Sequence, residues 1–140
     1  MPYEDEIPPY AEPDVEMNAL THAVIGAAME VHKRLGPGLD ESLYDQALRA
    51  EFDERGIAYV AQPIVQVEYK GRTIGEKRLD FIVGGRLVVE IKAVERLAPI
   101  HSAQVKTYLK STKLSLGLLI NFNDYPLKDG IKRIINSSTV

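Results

Sequence analysis

Between Met17 and Leu35 apolar residues return at steps of three and four: Leu20, Val24, Ala28, Val31 and Leu35. That spacing puts them on one stripe and predicts an amphipathic helix over 17–35. Gly36-Pro37-Gly38 stops it. Asp40 suits an N-cap, so a second helix is expected over 41–55, with Leu43, Ala47, Leu48 and Phe52 inward and Gly56 at its end. The period then changes. After Pro63, Ile64, Val65, Val67 and Tyr69 are strand formers, and Lys70-Gly71-Arg72 makes a turn. Strands are expected over 73–83 and 86–94 about Gly84-Gly85. Pro99 suits the first turn of a helix over 99–111. Residues 114–122 are nearly all apolar and read as a strand buried on both faces. Residues 126–135 are short and basic and read as a helical end. The order α-α-β-β-β-α-β-α predicts an α/β domain with a mixed four-stranded sheet flanked by helices.

Composition adds bounds. At 140 residues the chain suits one domain with a substantial core. There is no cysteine, which excludes disulfides and thiolate metal sites. No apolar run approaches the ~20 residues of a membrane span, and the start lacks a basic, then apolar, leader; a cytoplasmic location is expected. The net charge of −3 is unevenly spread. Residues 1–16 hold six acids, four prolines and no basic residue, which predicts a disordered tail ahead of a domain over 17–140. Without that tail, 17 basic residues face 14 acidic ones, a balance that permits nucleic-acid binding without demanding it.

One stretch breaks the apolar pattern. In the hairpin Arg78–Glu95, Asp80 stands on the first arm, and Glu90 and Lys92 on the second. Alternation puts Glu90 and Lys92 on one face, between Val88 and Val94. A Glu/Lys pair on a strand is common as a solvated or edge feature. Asp80 changes the weighing, because nothing else in Leu79–Val83 is polar. Two carboxylates and a lysine converging on a sheet make a hard-oxygen cation site of the Mg²⁺ type, with chemistry at a phosphoryl group within reach. Convergence has a geometric condition. A two-residue loop at Gly84-Gly85 would set Asp80 opposite Val89 and away from Glu90. An odd or bulged connection near 83–87 is therefore expected, and glycine makes it cheap.

These residues resemble a known family. Asp80, then Glu90-Ile91-Lys92, followed by a helix carrying Gln104-Val105-Lys106-Thr107-Tyr108, looks like the PD-(D/E)xK phosphodiesterase superfamily. The resemblance is closer to its small branch of GxxExxY proteins, through Gly38, Glu41 and Tyr44, and it runs over roughly residues 18–136. It implies a restriction-endonuclease-like αβββαβ core and a Mg²⁺- or Mn²⁺-dependent nuclease, with DNA favoured over RNA. Asp80 and Glu90 would be metal ligands, joined by Glu41, and Lys92 the catalytic lysine; Gln104 and Tyr108 match residues that border the site. Tyr44 and His101 are further candidates for substrate contact. Leu79 departs from the proline of the superfamily's name. Small members of this fold often pair to span a duplex, so a homodimer is among the partners the resemblance allows. The rival readings are a catalytically silent nucleic-acid-binding or protein-interaction module, and a structural domain with a solvated ion network.

Overall fold

The computed structural model describes residues 14–136. Positions 1–13 of the expected tail lie outside them, and Asp14–Glu16 do not belong to a tail at all. Helix α1 spans Val15–Leu35, two residues earlier than the apolar stripe suggests. Asp14 is its N-cap, accepting from the Met17 N–H at 2.8 Å. Arg86 then anchors this end, reaching Asp14 at 2.9 Å and Glu16 at 3.5 Å. Helix α2 spans Glu41–Arg55, as expected. Its inner stripe is Tyr44, Leu48 and Phe52; Leu43, expected inward, is half exposed.

The strands are β1 (Tyr59–Ala61), β2 (Ile64–Tyr69), β3 (Arg72–Arg78), β4 (Phe81–Val83), β5 (Leu87–Lys92), β6 (Leu116–Asn121) and β7 (Ile131–Ile135), with helix α3 (Pro99–Thr112) between β5 and β6. The main sheet has five strands rather than four, in the order β1-β4-β5-β6-β7, and only β5 and β6 run parallel. A turn of 3₁₀ helix at Leu127–Gly130 leads into β7, where a helical end was expected. Ile131, Ile134 and Ile135 are β-branched, and pairing with β6 completes that strand's ladder.

The run expected as one strand over 73–83 is broken at Leu79-Asp80. The break is a bend within one long hairpin, because the register is continuous: Ala61 faces Phe81, and Ile64 faces Arg78. At the bend the Leu79 N–H bonds to Pro63 O at 2.9 Å, and the Gln62 N–H to Asp80 O at 2.8 Å. Gln62 takes a φ of 53° to make the corner. Beyond it β2 and β3 leave the sheet as a two-stranded arm, with β3 exposed throughout.

Each face of the sheet has its own core. Phe81, Val89, Ile91, Leu118 and Ile120 pack on the α1 and α2 side with Val24, Ala28, Tyr44, Leu48 and Phe52. Leu79, Val88, Leu119 and Ile134 pack on the α3 side with Val105 and Leu109. All of β6 is buried, as its unbroken apolar run implies. Gly117 lets α3 come close: a Cβ there would stand 2.7 Å from Val105 Cγ1. Gly117→Ala is therefore expected to cost about 1–3 kcal/mol through overpacking. The check is a urea melt with a lower midpoint and an unchanged slope; an unchanged midpoint would mean that α3 is not held this tightly.

Candidate active site

The turn between β4 and β5 has three residues. Val83 pairs with Leu87, and the loop is Gly84, Gly85 and Arg86, with φ of 60° and 70° at the two glycines. This is the odd connection that convergence requires. Pairing runs back through Ile82↔Val88 and Phe81↔Val89, so Asp80 stands opposite Glu90. The two clasp each other through the backbone. The Asp80 N–H donates to Glu90 Oε2 at 2.6 Å, and the Ile91 N–H donates to Asp80 Oδ2 at 2.8 Å. Among the described residues no protein donor reaches the other oxygen of either carboxylate. Lys92, two residues beyond Glu90, shares its face and is half-buried.

Burial dominates the electrostatics. Glu90 is only 6% exposed. Loss of water pushes its carboxyl up to about 8, and the neighbouring Asp80 adds to the shift. Asp80 is pushed up to about 6, again chiefly by burial, with Glu41 and Asp45 contributing. Lys92 opposes both shifts. Once both are ionised, the two carboxylates carry more negative charge than one lysine balances.

Glu41 opens α2, where the helix dipole favours a carboxylate. It is exposed, and close enough to act on both Asp80 and Glu90. The turn before it depends on Gly38, with φ of 102°, and on Tyr44. The Tyr44 hydroxyl donates to Gly36 O and accepts from the Leu39 N–H at 3.1 Å. Its ring stacks on Phe122 at 4.7 Å and is fully buried. Tyr44 thus cannot meet a substrate as expected; both capacities of its hydroxyl are spent in holding the loop that presents Glu41.

On α3, Tyr108 is half-buried, and its hydroxyl is pushed up by burial and by the charges of Glu90 and Asp80. Gln104 is exposed one turn earlier. His101 is committed elsewhere, since its Nδ1 accepts from the Ala98 N–H at 2.9 Å and starts the helix.

A model of the PD-(D/E)XK nuclease superfamily matches residues 18–134. The chain belongs to the PD-(D/E)XK nuclease superfamily. Among solved structures, an alkaline exonuclease from Laribacter hongkongensis aligns over 81% of this chain and 69% of its own, with a TM-score of 0.51 and 15% identity. At that identity the likeness bears on the fold, which is the restriction-endonuclease-like one expected. No curated protein sequence matches. No helix among the described residues is long and apolar enough to cross a membrane.

Leu79 stands where the superfamily's name has proline, and the structure supplies a reason. Its side chain is fully buried on the α3 side, and its N–H makes the bond to Pro63 O at the bend, which proline could not donate.

Two site neighbours are not among the residues expected from the sequence. Asp45, one turn after Glu41, is 8% exposed, pairs with Arg49 at 2.7 Å and raises the Asp80 pKa; its spacing of four from Glu41 was the available clue. Asn121, in register with Lys92, is fully buried. Its carboxamide accepts from the Val94 N–H at 3.0 Å and donates to Val94 O at 2.9 Å, pinning the chain just after Lys92.

As a donor set, Asp80 and Glu90 suit a hard cation that keeps several waters. Each has an oxygen to spare, and a cation would stabilise the ionised forms that burial disfavours. No group of three or more His, Asp or Glu among the described residues is gathered for a metal, so Glu41 stands outside the pair rather than within it. The raised pKa values carry a sign. The native carboxyls hold protons more tightly than the unfolded ones, so metal-free protein loses stability as pH rises from the ordinary carboxylate range to about 8. Thermal melts of chelator-treated protein are expected to fall over that window, and Glu90→Gln to fall less steeply. Equal slopes for the two proteins would contradict the burial of charge at Glu90.

Proposed function

We propose that this chain is a divalent-metal-dependent phosphodiesterase that hydrolyses nucleic acid, DNA rather than RNA. The observation that carries the reading is the Asp80–Glu90 clasp, with Lys92 on the same face, in a member of a nuclease superfamily. Gly38, Glu41 and Tyr44 support placing it in the GxxExxY branch.

Asp80 and Glu90 would hold Mg²⁺ or Mn²⁺, which supplies Lewis-acid polarisation of the phosphoryl group and a more acidic water. Glu41, presented at a helix start, would reach the ion through its water shell. The reaction is in-line attack of water oxygen on phosphorus. A P–O bond forms as the attacking water gives up a proton to solvent, the bond to the leaving oxygen breaks, and the leaving oxygen takes up a proton from solvent. Lys92 would stabilise charge developing on the phosphoryl oxygens. Asn121 fixes the backbone beyond that lysine, so its side chain starts from a rigid strand end. Gln104 and Tyr108 would orient the strand from α3.

Calorimetric titration of Mn²⁺, followed by incubation with labelled single- and double-stranded DNA, tests this. Wild type is expected to bind the ion and cleave, and Glu90→Gln to lose both. Lys92→Ala should keep the ion and lose about 10²–10³ in rate. Metal binding without cleavage of any nucleic acid would favour the silent binding module. Absence of metal binding would make the clasp structural and overturn the proposal.

A further inference from the structure

A groove of about 510 Å³ runs between β2 and α3, lined among others by Val65, Val67, Thr107, Lys110, Ser111 and Lys113. One apolar cluster links it to the candidate site. Val65 and Tyr108 both pack against the cluster of Leu79, Val88, Val105 and Leu109, and Tyr108 feels the charges of Glu90 and Asp80. Val65 also lies two residues after Pro63, whose carbonyl is bonded to the residue before Asp80.

Three features give the groove its chemistry. Lys110 and Lys113 are exposed on the α3 wall, next to the hydroxyls of Thr107 and Ser111. Lys77 pairs with Val65 and shares its face of the arm, whereas Glu68 is the one acid on the lining. Among the described residues strand β2 pairs only with β3, so its other edge offers backbone groups that no described strand covers. Cations, hydroxyls and free N–H groups are the donors that contact phosphate without reading bases. Shape selects among nucleic acids. The walls converge on one apolar cluster at the floor of the groove. A single strand can bend into such a cleft, whereas a duplex carries its phosphates on a rigid convex surface and cannot follow them down to that floor.

We infer that the groove between β2 and α3 receives a single strand of nucleic acid by its phosphates and leads it to the Asp80–Glu90 pair. The inference rests on the phosphodiesterase reading and narrows it: the substrate is a single strand or the frayed end of a duplex, not the interior of an intact duplex.

Binding can be measured apart from chemistry, by fluorescence anisotropy in chelator with labelled oligothymidylate and with a blunt duplex of equal length. Wild type should prefer the single strand. Lys110→Gln combined with Lys113→Gln should weaken it by about tenfold and lower the slope of log K against log salt by about 1.4, at about 0.7 for each lost phosphate contact. Both side chains are exposed, and a thermal melt verifies the fold. Lys33→Gln with Lys128→Gln removes the same charge elsewhere and should leave the slope unchanged. An unchanged slope in the groove variant, an equal loss in the control, or equal binding of the duplex through the same lysines would overturn the inference. So would oligothymidylate binding indifferent to the lysines together with polyglutamate binding that needs them, which would assign the open β2 edge to a peptide. Duplex cleavage at full rate by the groove variant would remove this inference and leave the nuclease intact. Lysine-dependent single-strand binding without cleavage by wild type would support the groove while the nuclease reading fails.

Discussion

The three-residue turn Gly84–Arg86 pairs Val83 with Leu87, and counting outward from that pair sets Asp80 opposite Glu90. Strand side chains alternate, so one residue fewer in the turn would carry Asp80 to the other face and into the packing against α1 and α2. Both glycines adopt positive φ, which other residues tolerate poorly. Leu20 also lies 2.9 Å from where a Cβ on Gly84 would sit. The turn is thus held by its backbone and by the helix beneath it, and the parity of the site is held with it.

The rest of the site is built outward from that row. Burial in the apolar sheet makes the carboxylates costly, and the reciprocal bonds from the Asp80 and Ile91 N–H groups offset only part of the cost. A fold retains so expensive a pair where charge is needed at a fixed point. Three separate elements support it. The bend at Gln62-Pro63 holds Asp80 by its carbonyl while its N–H turns to Glu90, Tyr44 holds the loop that presents Glu41, and Asn121 pins the chain beyond Lys92.

Much of this was legible in the sequence, for physical reasons that differ by element. Helices α1 and α2 announce themselves by apolar spacing and by glycines at their ends, and β6 by an unbroken apolar run. The charged hairpin was visible because polar residues interrupt a core strand. Its turn could be anticipated because only an odd loop lets the charges meet. Other features depend on tertiary contacts. Strand β1 is three residues long, too short to carry a period. Residues 131–135 are apolar and basic in a pattern that suits a helical turn as well as an edge strand, and pairing with β6 decides it. The corner at Gln62 requires the partner strand, and the role of Tyr44, a candidate substrate contact by sequence, is decided by the Gly36–Leu39 loop that closes over it. Asp45 reads as helix surface unless the sheet beside it is known.

The proposed cation site at Asp80 and Glu90 has one direct rival, a pair of carboxyls that share a proton. Anomalous diffraction from crystals soaked in Mn²⁺ at neutral pH tests it most directly. The account predicts a peak between Asp80 Oδ1 and Glu90 Oε1, with Glu41 nearby across solvent. Density free of an ion there, with Mn²⁺ bound only at other surface acids and the two carboxyls in direct contact, would contradict it.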